Sequence, residues 1–228
     1  MAFLAAACIG FLVTHLGVSS TPLRPLLVKT IGETPYLACY SVLALVSLGA
    51  MIVGYASLEH HLYVWLPSLA LTLLAKCLMP VALVFLLLGL MTRNPTAVKM
   101  QELVGAATGL KMPGILKITR HPIQWAILLW ALAHLIANGD QASILFFGTF
   151  ALLAGLGPVL LDRRLTQLDT PDWRQFYAMT SNVPFVGLLR GKSQLSLSDI
   201  NWVAVIMGLS FYVIIYYFHG LLAGVSLL

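Results

Sequence analysis

Charge is scarce in this chain. Asp and Glu number 8 and Lys and Arg 13 in 228 residues, or 9% together, against about 25% in soluble domains. So few charges cannot cover the surface of a soluble fold of this length, which excludes an ordinary soluble domain. Cysteine is nearly absent, at 3 residues, which excludes a disulfide scaffold. Cys8, Cys39 and Cys77 lie in apolar runs without metal-type spacing and read as buried thiols. With 18 Gly and 11 Pro, neither collagen nor low-complexity disorder fits. Segments of about 10 residues with alternating polarity are also missing, which argues against a membrane β-barrel. What is abundant is apolar sequence, 60% of the chain, with a mean hydropathy of +0.92. The composition is that of an integral membrane protein.

Runs near 20 apolar residues, enough to cross about 30 Å of hydrocarbon, mark six spans. They are Phe3–Ser19, Tyr36–Leu58, Val64–Met91, Pro122–Asn138, Ser143–Leu161 and Trp202–Val225. The fold class expected is all-α, a polytopic transmembrane helical bundle forming a single domain over residues 1–228. Pro80 is expected to kink the third span. Met1–Gly17 lacks a basic leader and reads as a retained span rather than a cleaved signal. No internal repeat suggests the inverted halves of a transporter.

Twelve of the thirteen Lys and Arg residues fall in three loops, after the first, third and fifth spans. Only Lys76 lies inside a span. Cytoplasmic loops carry such an excess, so both termini are predicted to be periplasmic and the basic loops to meet anionic headgroups. The net charge of +5 then needs no nucleic-acid partner. Two long loops, 93–121 and 162–200, hold the soluble-like sequence. In the second, a short helix is expected first. Thr170-Pro171-Asp172 then forms an N-cap and first turn, followed by Trp173, Phe176 and Tyr177 on one face. Headgroup contact or plain packing would explain those aromatics.

Ionisable groups inside a bilayer are costly, so each one marks a candidate site. His60 and His61 fall in a short loop beside Glu59 and read as solvated, and His219 reads as an interfacial anchor. His15 and His134 are embedded among apolar residues on separate spans, where either a neighbouring-helix hydrogen bond or a metal or haem explains them. Arg120-His121-Pro122 opens the fourth span. These residues either anchor it to headgroups or bind an anionic group such as a propionate or phosphate. Arg24, Arg163 and Arg164 form a second tier for the same roles. Asn138-Gly139-Asp140 reads as a helix end with Gly in the left-handed region. His121 and His134, 13 residues apart on one helix, stand about 20 Å apart and cannot share one iron. On straight spans with a common starting level, depth pairs His15 with His121 and His134 with His219.

Several blocks taken together resemble the NnrU family, which includes the plant and cyanobacterial 15-cis-ζ-carotene isomerases. They are Thr14-His15 with Ser19 and Pro22-Leu-Arg24, Asn94-Pro95-Thr96, Gly114-Ile-Leu, and Thr119-Arg-His-Pro with Trp125. Leu129-Trp-Ala-Leu-Ala-His134-Leu, Ala137-Asn-Gly-Asp140, Asp162-Arg-Arg-Leu165 and Thr180-Ser-Asn-Val-Pro-Phe185 follow in order. The resemblance implies a membrane haem b protein whose iron is held by His15 and His134, with a third family histidine matching His121. It implies redox-dependent cis–trans isomerisation of a lipophilic, carotenoid-like polyene in the inner membrane, with Arg24, Arg120 and His121 near the cofactor. The family's alternative ligand, a cysteine three residues before the second histidine, is Ala131 here. Bacterial members are associated with denitrification and nitric oxide metabolism, so a haem protein without isomerase activity is the alternative. Arg120-His121-Pro122, Trp173–Tyr177 and Val183-Pro184 also resemble, loosely, the isoprenylcysteine and phospholipid methyltransferases, without their acidic pair.

Overall fold

A computed structural model describes residues 1–19, 21, 23–97, 100–107, 112–167, 169–225 and 227. Lys99, Lys111 and Pro22, part of the basic-loop and motif readings above, lie outside the described residues. The described chain is helical. Its one pairing of extended backbone is an isolated bridge between Tyr63 and Asp140.

Four helices are long and apolar enough to cross a membrane: α3 (Glu33–Ala56), α4 (Leu69–Leu90), α8 (Gln141–Thr166) and α11 (Trp202–Ala223). A fifth span is completed if a bent pair counts as one. That pair is α1 (Ala2–Leu12), continued by a π-helical turn over Val13–Val18, and α2 (Leu23–Ile31). α7 (Pro122–Asn138) is apolar but shorter, at 17 residues. The chain is thus a multi-pass membrane protein, with four to five long spans where the sequence suggested six. Shorter helices complete it: α5 (Val104–Ala107), α6 (Gly114–Ile118), α9 (Pro171–Met179) and α10 (Val186–Leu189).

Three boundaries differ from the sequence reading. α4 begins at Leu69, not Val64, because the segment before it is strapped to the α7–α8 turn. Val64 N–H donates to the Gly139 carbonyl at 2.9 Å, and Gln141 N–H to that of Leu62 at 3.0 Å; Pro67 also disfavours helix just ahead of it. Arg24 and Lys29 sit in helix α2, not in a loop. Asp162–Thr166 is no separate helix but the end of α8, where Arg163 and Arg164 meet the negative end of the helix dipole. The expected cap holds: the Thr170 hydroxyl accepts from Trp173 N–H, with Pro171 at the first helical position. Trp173 and Phe176 are buried, so packing accounts for that aromatic face.

The chain gathers into two units. One comprises residues 1–75 with 131–161, the other residues 76–130 with 162–228. In lipid no hydrophobic force drives helix against helix, and close packing over small residues does the work. In the first unit α1 meets α3 where Gly54 has no side chain. A Cβ there would lie 3.3 Å from the Leu4 Cα, and Leu4 and Met51 are fully buried. In the second unit α11 crosses α4 at Gly208, where a Cβ would stand 2.8 Å from the Val84 Cα. The turn that joins α7 to α8 needs Gly139 at φ +75°, the left-handed end expected from the sequence. Asp140 then caps α8, its Oδ1 accepting from Ser143 N–H at 3.0 Å.

Candidate functional site

In the first unit the π-helical turn is centred on His15. Such a turn widens the helix by one residue and recurs at functional positions. His15 Nδ1 lies 2.8 Å from the Phe11 carbonyl oxygen, and a carbonyl only accepts. The proton is therefore on Nδ1, and Nε2 carries the lone pair. A backbone carbonyl on one ring nitrogen is the arrangement that orients metal-ligating histidines. The Phe11 ring lies 4.0 Å from that of His15, and Tyr40 stands edge-on at 5.4 Å.

His134 belongs to the same unit and stacks on Phe147 at 4.7 Å. Phe146, Phe147 and Phe150 form a strip on α8, and Phe11 packs on Phe150 at 5.6 Å. The two histidines thus flank one aromatic strip. The register is readable: Cys8 Sγ donates to the Leu145 carbonyl at 3.6 Å, Phe11 meets Phe150, and His134 meets Phe147. His134 is therefore level with the stretch between Cys8 and Phe11, about 8 Å along the axis from His15. Depth arithmetic set the two further apart because it started every span at one level. Cys8, nearly two turns into α1, is level with Leu145, just over one turn into α8.

At the far end of that strip is a group the sequence reading missed. His60 is not simply solvated: its Nδ1 lies 2.9 Å from Oδ1 of the buried Asp140. The Tyr55 hydroxyl pairs with Ser143 Oγ at 2.9 Å, and its ring packs on His60 and Phe146. Burial alone would raise the Asp140 carboxyl, but hydrogen bonds from the Ser143 side chain and amide and from His60 outweigh it. They hold the group below the ordinary aspartate value. The sequence signal was available in Asp140 as an N-cap. Its partner, 80 residues away, was not. His61 remains an exposed partner of Glu59 at 3.3 Å.

The second unit gathers motif blocks that are far apart in sequence around the turn Thr119–Pro122. Asn94 Nδ2 and Thr96 Oγ1 both donate to the Arg120 carbonyl, at 2.9 and 3.1 Å. Arg120 N–H donates to Ser181, and Phe185 N–H to Ile118. Thr119 Oγ1 and Trp125 Nε1 share the Asn182 carbonyl, at 2.5 and 2.8 Å. Inside this clamp, Asp162 Oδ1 accepts from His121 Nε2 at 2.7 Å and from the Tyr177 hydroxyl at 3.1 Å. Asp162 Oδ2 is 3.3 Å from Arg120 Nε, and the Arg120 guanidinium lies over the Tyr177 ring at 4.5 Å. Burial and the adjacent Asp162 charge push the Tyr177 hydroxyl well above the usual tyrosine value. Burial lowers the Arg120 value, and Asp162 opposes that by favouring the charged form.

This convergence gives the separated motif blocks a structural reason, and the family model for NnrU proteins matches residues 3–227. The chain belongs to the NnrU family. No curated protein and no solved structure matches it. In this NnrU protein the predicted site residues divide between the units. His15, His134 and Arg24 lie in the first, Arg120 and His121 in the second. Arg24 is 3.7 Å from Glu33 and over the Tyr36 ring; Arg120 is committed to Asp162. Among the described residues no cluster of three or more His, Cys, Asp or Glu could hold a metal ion by itself. A planar cofactor held by two histidines makes no such demand.

Proposed function

We propose that this NnrU protein is a membrane haem b protein. His15 and His134 hold the iron, and the protein isomerises a cis double bond of a carotenoid-like polyene dissolved in the bilayer when that iron is reduced. The observation that carries this reading is the His15 geometry. Its Nδ1–H donates to the Phe11 carbonyl at 2.8 Å, at the centre of a π-helical turn, and Nε2 is the ring atom that would meet the iron. His134 stands on the same aromatic strip. The residues present therefore fit a bis-histidine group. Bound haem would supply reversible one-electron chemistry and electron density to a double bond.

The remaining work falls to the chain itself. Phe11, Phe146, Phe147 and Phe150, which pack on one another, would keep water from a hydrocarbon that entered beside them. Arg24, paired loosely with an exposed Glu33, would exchange that partner for a propionate.

Ala131 favours a second reading. One turn before His134, where the isomerases are thought to carry an alternative thiol ligand, this chain has a fully buried methyl group. Ligand exchange would then need a molecule from outside, and a haem protein that binds nitric oxide without isomerase activity fits that constraint.

The test is an absorption spectrum of the detergent-purified protein, oxidised and dithionite-reduced. A Soret band that shifts on reduction, and is lost in His15→Ala and His134→Ala, supports the haem assignment. A featureless spectrum after expression with ample haem overturns it. Isomerisation of a cis-polyene in reduced proteoliposomes, against nitric oxide binding without turnover, separates the two readings.

A further inference from the structure

Between the end of α8 and the helix α9 lies a half-open cleft of about 400 Å³, a size within the range of small-molecule sites. Its walls are Thr166 of α8, Asp169 of the connection, and Trp173, Arg174, Tyr177 and Ala178 of α9. All of them belong to the second unit. The depth of the cleft follows from α8. The apolar part of that helix, Ser143–Leu161, is about 28 Å long, close to the thickness of the hydrocarbon. Thr166 stands roughly 7 Å further along the same axis, within the headgroup layer. The cleft is thus at the level of phospholipid headgroups and open to them.

Its wall carries one charge of each sign, side by side. Arg174 Nη1 donates to the Asp169 carboxylate at 2.8 Å and to the Asp169 carbonyl at 2.9 Å. Both side chains are more than half exposed, at 60% and 72%, so the pair is weak and readily exchanged. Both bonds use Nη1, and among the described residues neither Nε nor Nη2 of Arg174 is bonded. The Thr166 hydroxyl donates to carbonyls of its own helix at 3.0 Å, so what it offers the cleft is an acceptor oxygen. An anion alone would meet the Asp169 carboxylate, and a cation alone would meet the Arg174 guanidinium. A molecule with a phosphate and an ammonium on one short bridge satisfies both.

The ammonium is further specified by what the aromatic residues lack. A quaternary ammonium has no N–H and needs open ring faces. Trp173 is buried at 3% exposure, and one face of Tyr177 is covered by the Arg120 guanidinium at 4.5 Å. A primary ammonium, with three donors, suits the Asp169 carboxylate and the Thr166 oxygen instead.

We propose that this cleft binds the headgroup of phosphatidylethanolamine, with the phosphate on Arg174 and the ammonium on Asp169 and Thr166. The site does not depend on whether the protein binds haem.

The experiment places the full-length protein in nanodiscs of phosphatidylglycerol mixed equally with phosphatidylethanolamine or with phosphatidylcholine. Retained lipid is counted by native mass spectrometry. The wild-type protein should retain phosphatidylethanolamine about fivefold over either other lipid, and Arg174→Ala should lose that preference. Asp169→Asn should turn the preference toward phosphatidylglycerol, because the carboxylate that repels an anion is gone; a merely structural role for Asp169 would not produce this reversal. Arg190→Ala, an exposed arginine outside the cleft, should behave as wild type. Soluble glycerophosphoethanolamine should displace the lipid only in large excess. Displacement at equal concentration would assign the site to a soluble phosphate ester and overturn the lipid assignment. Equal retention of the three lipids by the wild-type protein, or a preference that survives both cleft substitutions, overturns the proposal. Should either variant fail to fold, the wild-type comparison of the three lipids decides.

Discussion

The Nδ1 atom of His15 stands 2.8 Å from the carbonyl oxygen of Phe11, four residues earlier. That carbonyl also accepts from the Thr14 hydroxyl at 2.8 Å. The imidazole is thus held in one tautomer by a carbonyl of its own helix. His134 is oriented differently, by a ring stacked on Phe147.

If these two histidines hold a haem, substitution at either should abolish its retention, and substitution at the exposed His61 should not. Purified His15→Ala and His134→Ala should carry less than about a tenth of the wild-type haem in a pyridine haemochrome assay, since losing even a group that only orients a metal ligand costs about 10–100-fold in metal affinity. His61→Ala should carry the full complement. Haem retained at wild-type levels in both single variants removes the axial assignment.

Gly139 cannot be replaced. Its φ of +75° disfavours any side chain, and a Cβ would fall 2.2 Å from the Trp65 carbonyl oxygen. Gly139→Ala should lower stability by about 3 kcal/mol or more, read as the midpoint of thermal unfolding in detergent. Gly148→Ala, in a helical stretch with nothing within 4 Å of the new methyl, should be neutral or stabilising by up to about 1 kcal/mol.

Asp140 predicts a pH dependence with a definite sign. Its carboxyl is held below the ordinary value in the folded protein, so the ionised form is favoured by folding. The stability this contributes is complete above the unfolded-state value, about 3.9, and is lost as pH falls through the lower folded value. Asp140→Asn should be less stable than wild type at pH 7 by about 1–2 kcal/mol, having lost a charged cap and the His60 pairing. The gap should narrow below pH 4. A constant gap from pH 7 to pH 3 would show that the charge has no part in it.

Asn94 joins two segments through one side chain. Its Nδ2 donates to Arg120, and its Oδ1 accepts from both the amide and the hydroxyl of Thr96. All of these groups are buried. Asn94→Ala should cost about 2–4 kcal/mol by leaving buried partners unmet. Asn94→Asp should fare no better, because it sets a carboxylate against the Arg120 carbonyl. Unfolding monitored by tryptophan fluorescence checks both.

The helices themselves were legible in the sequence, because runs of apolar residues register in composition alone. Their ends were less so. Val64 to Ser68 continue the apolar run yet do not join α4, since the Gly139 carbonyl takes the Val64 N–H first. The Asp162–Thr166 stretch read as a short helix of its own, but the polar side chains from Asp162 on do not stop a helix that is already propagating, and it is the end of α8. The histidines stood out at once as polar groups in apolar sequence. Their partners did not, because His60 finds Asp140 at a separation of 80 and His121 finds Asp162 at 41, and no local pattern encodes such pairings. The depth reading set His15 and His134 further apart than the register does for a related reason: the offset of α1 along α8 is set by side-chain packing that only the assembled helices reveal.

The clamp around Thr119–Pro122 also has a consequence in time. Its parts come from residues 94–96, 162 and 180–185, and several of its bonds join positions about 60 apart in the chain. During synthesis the Arg120 turn emerges long before Thr180, Ser181 and Asn182 exist to receive it. Until then, Arg120 and His121 lack the Ser181, Thr180 and Asp162 groups that hold them in the folded unit. Closure of the second unit is therefore a late event that follows membrane insertion of the helices before it. A chain stopped short of residue 185 would lack the groups that close this clamp in the second unit.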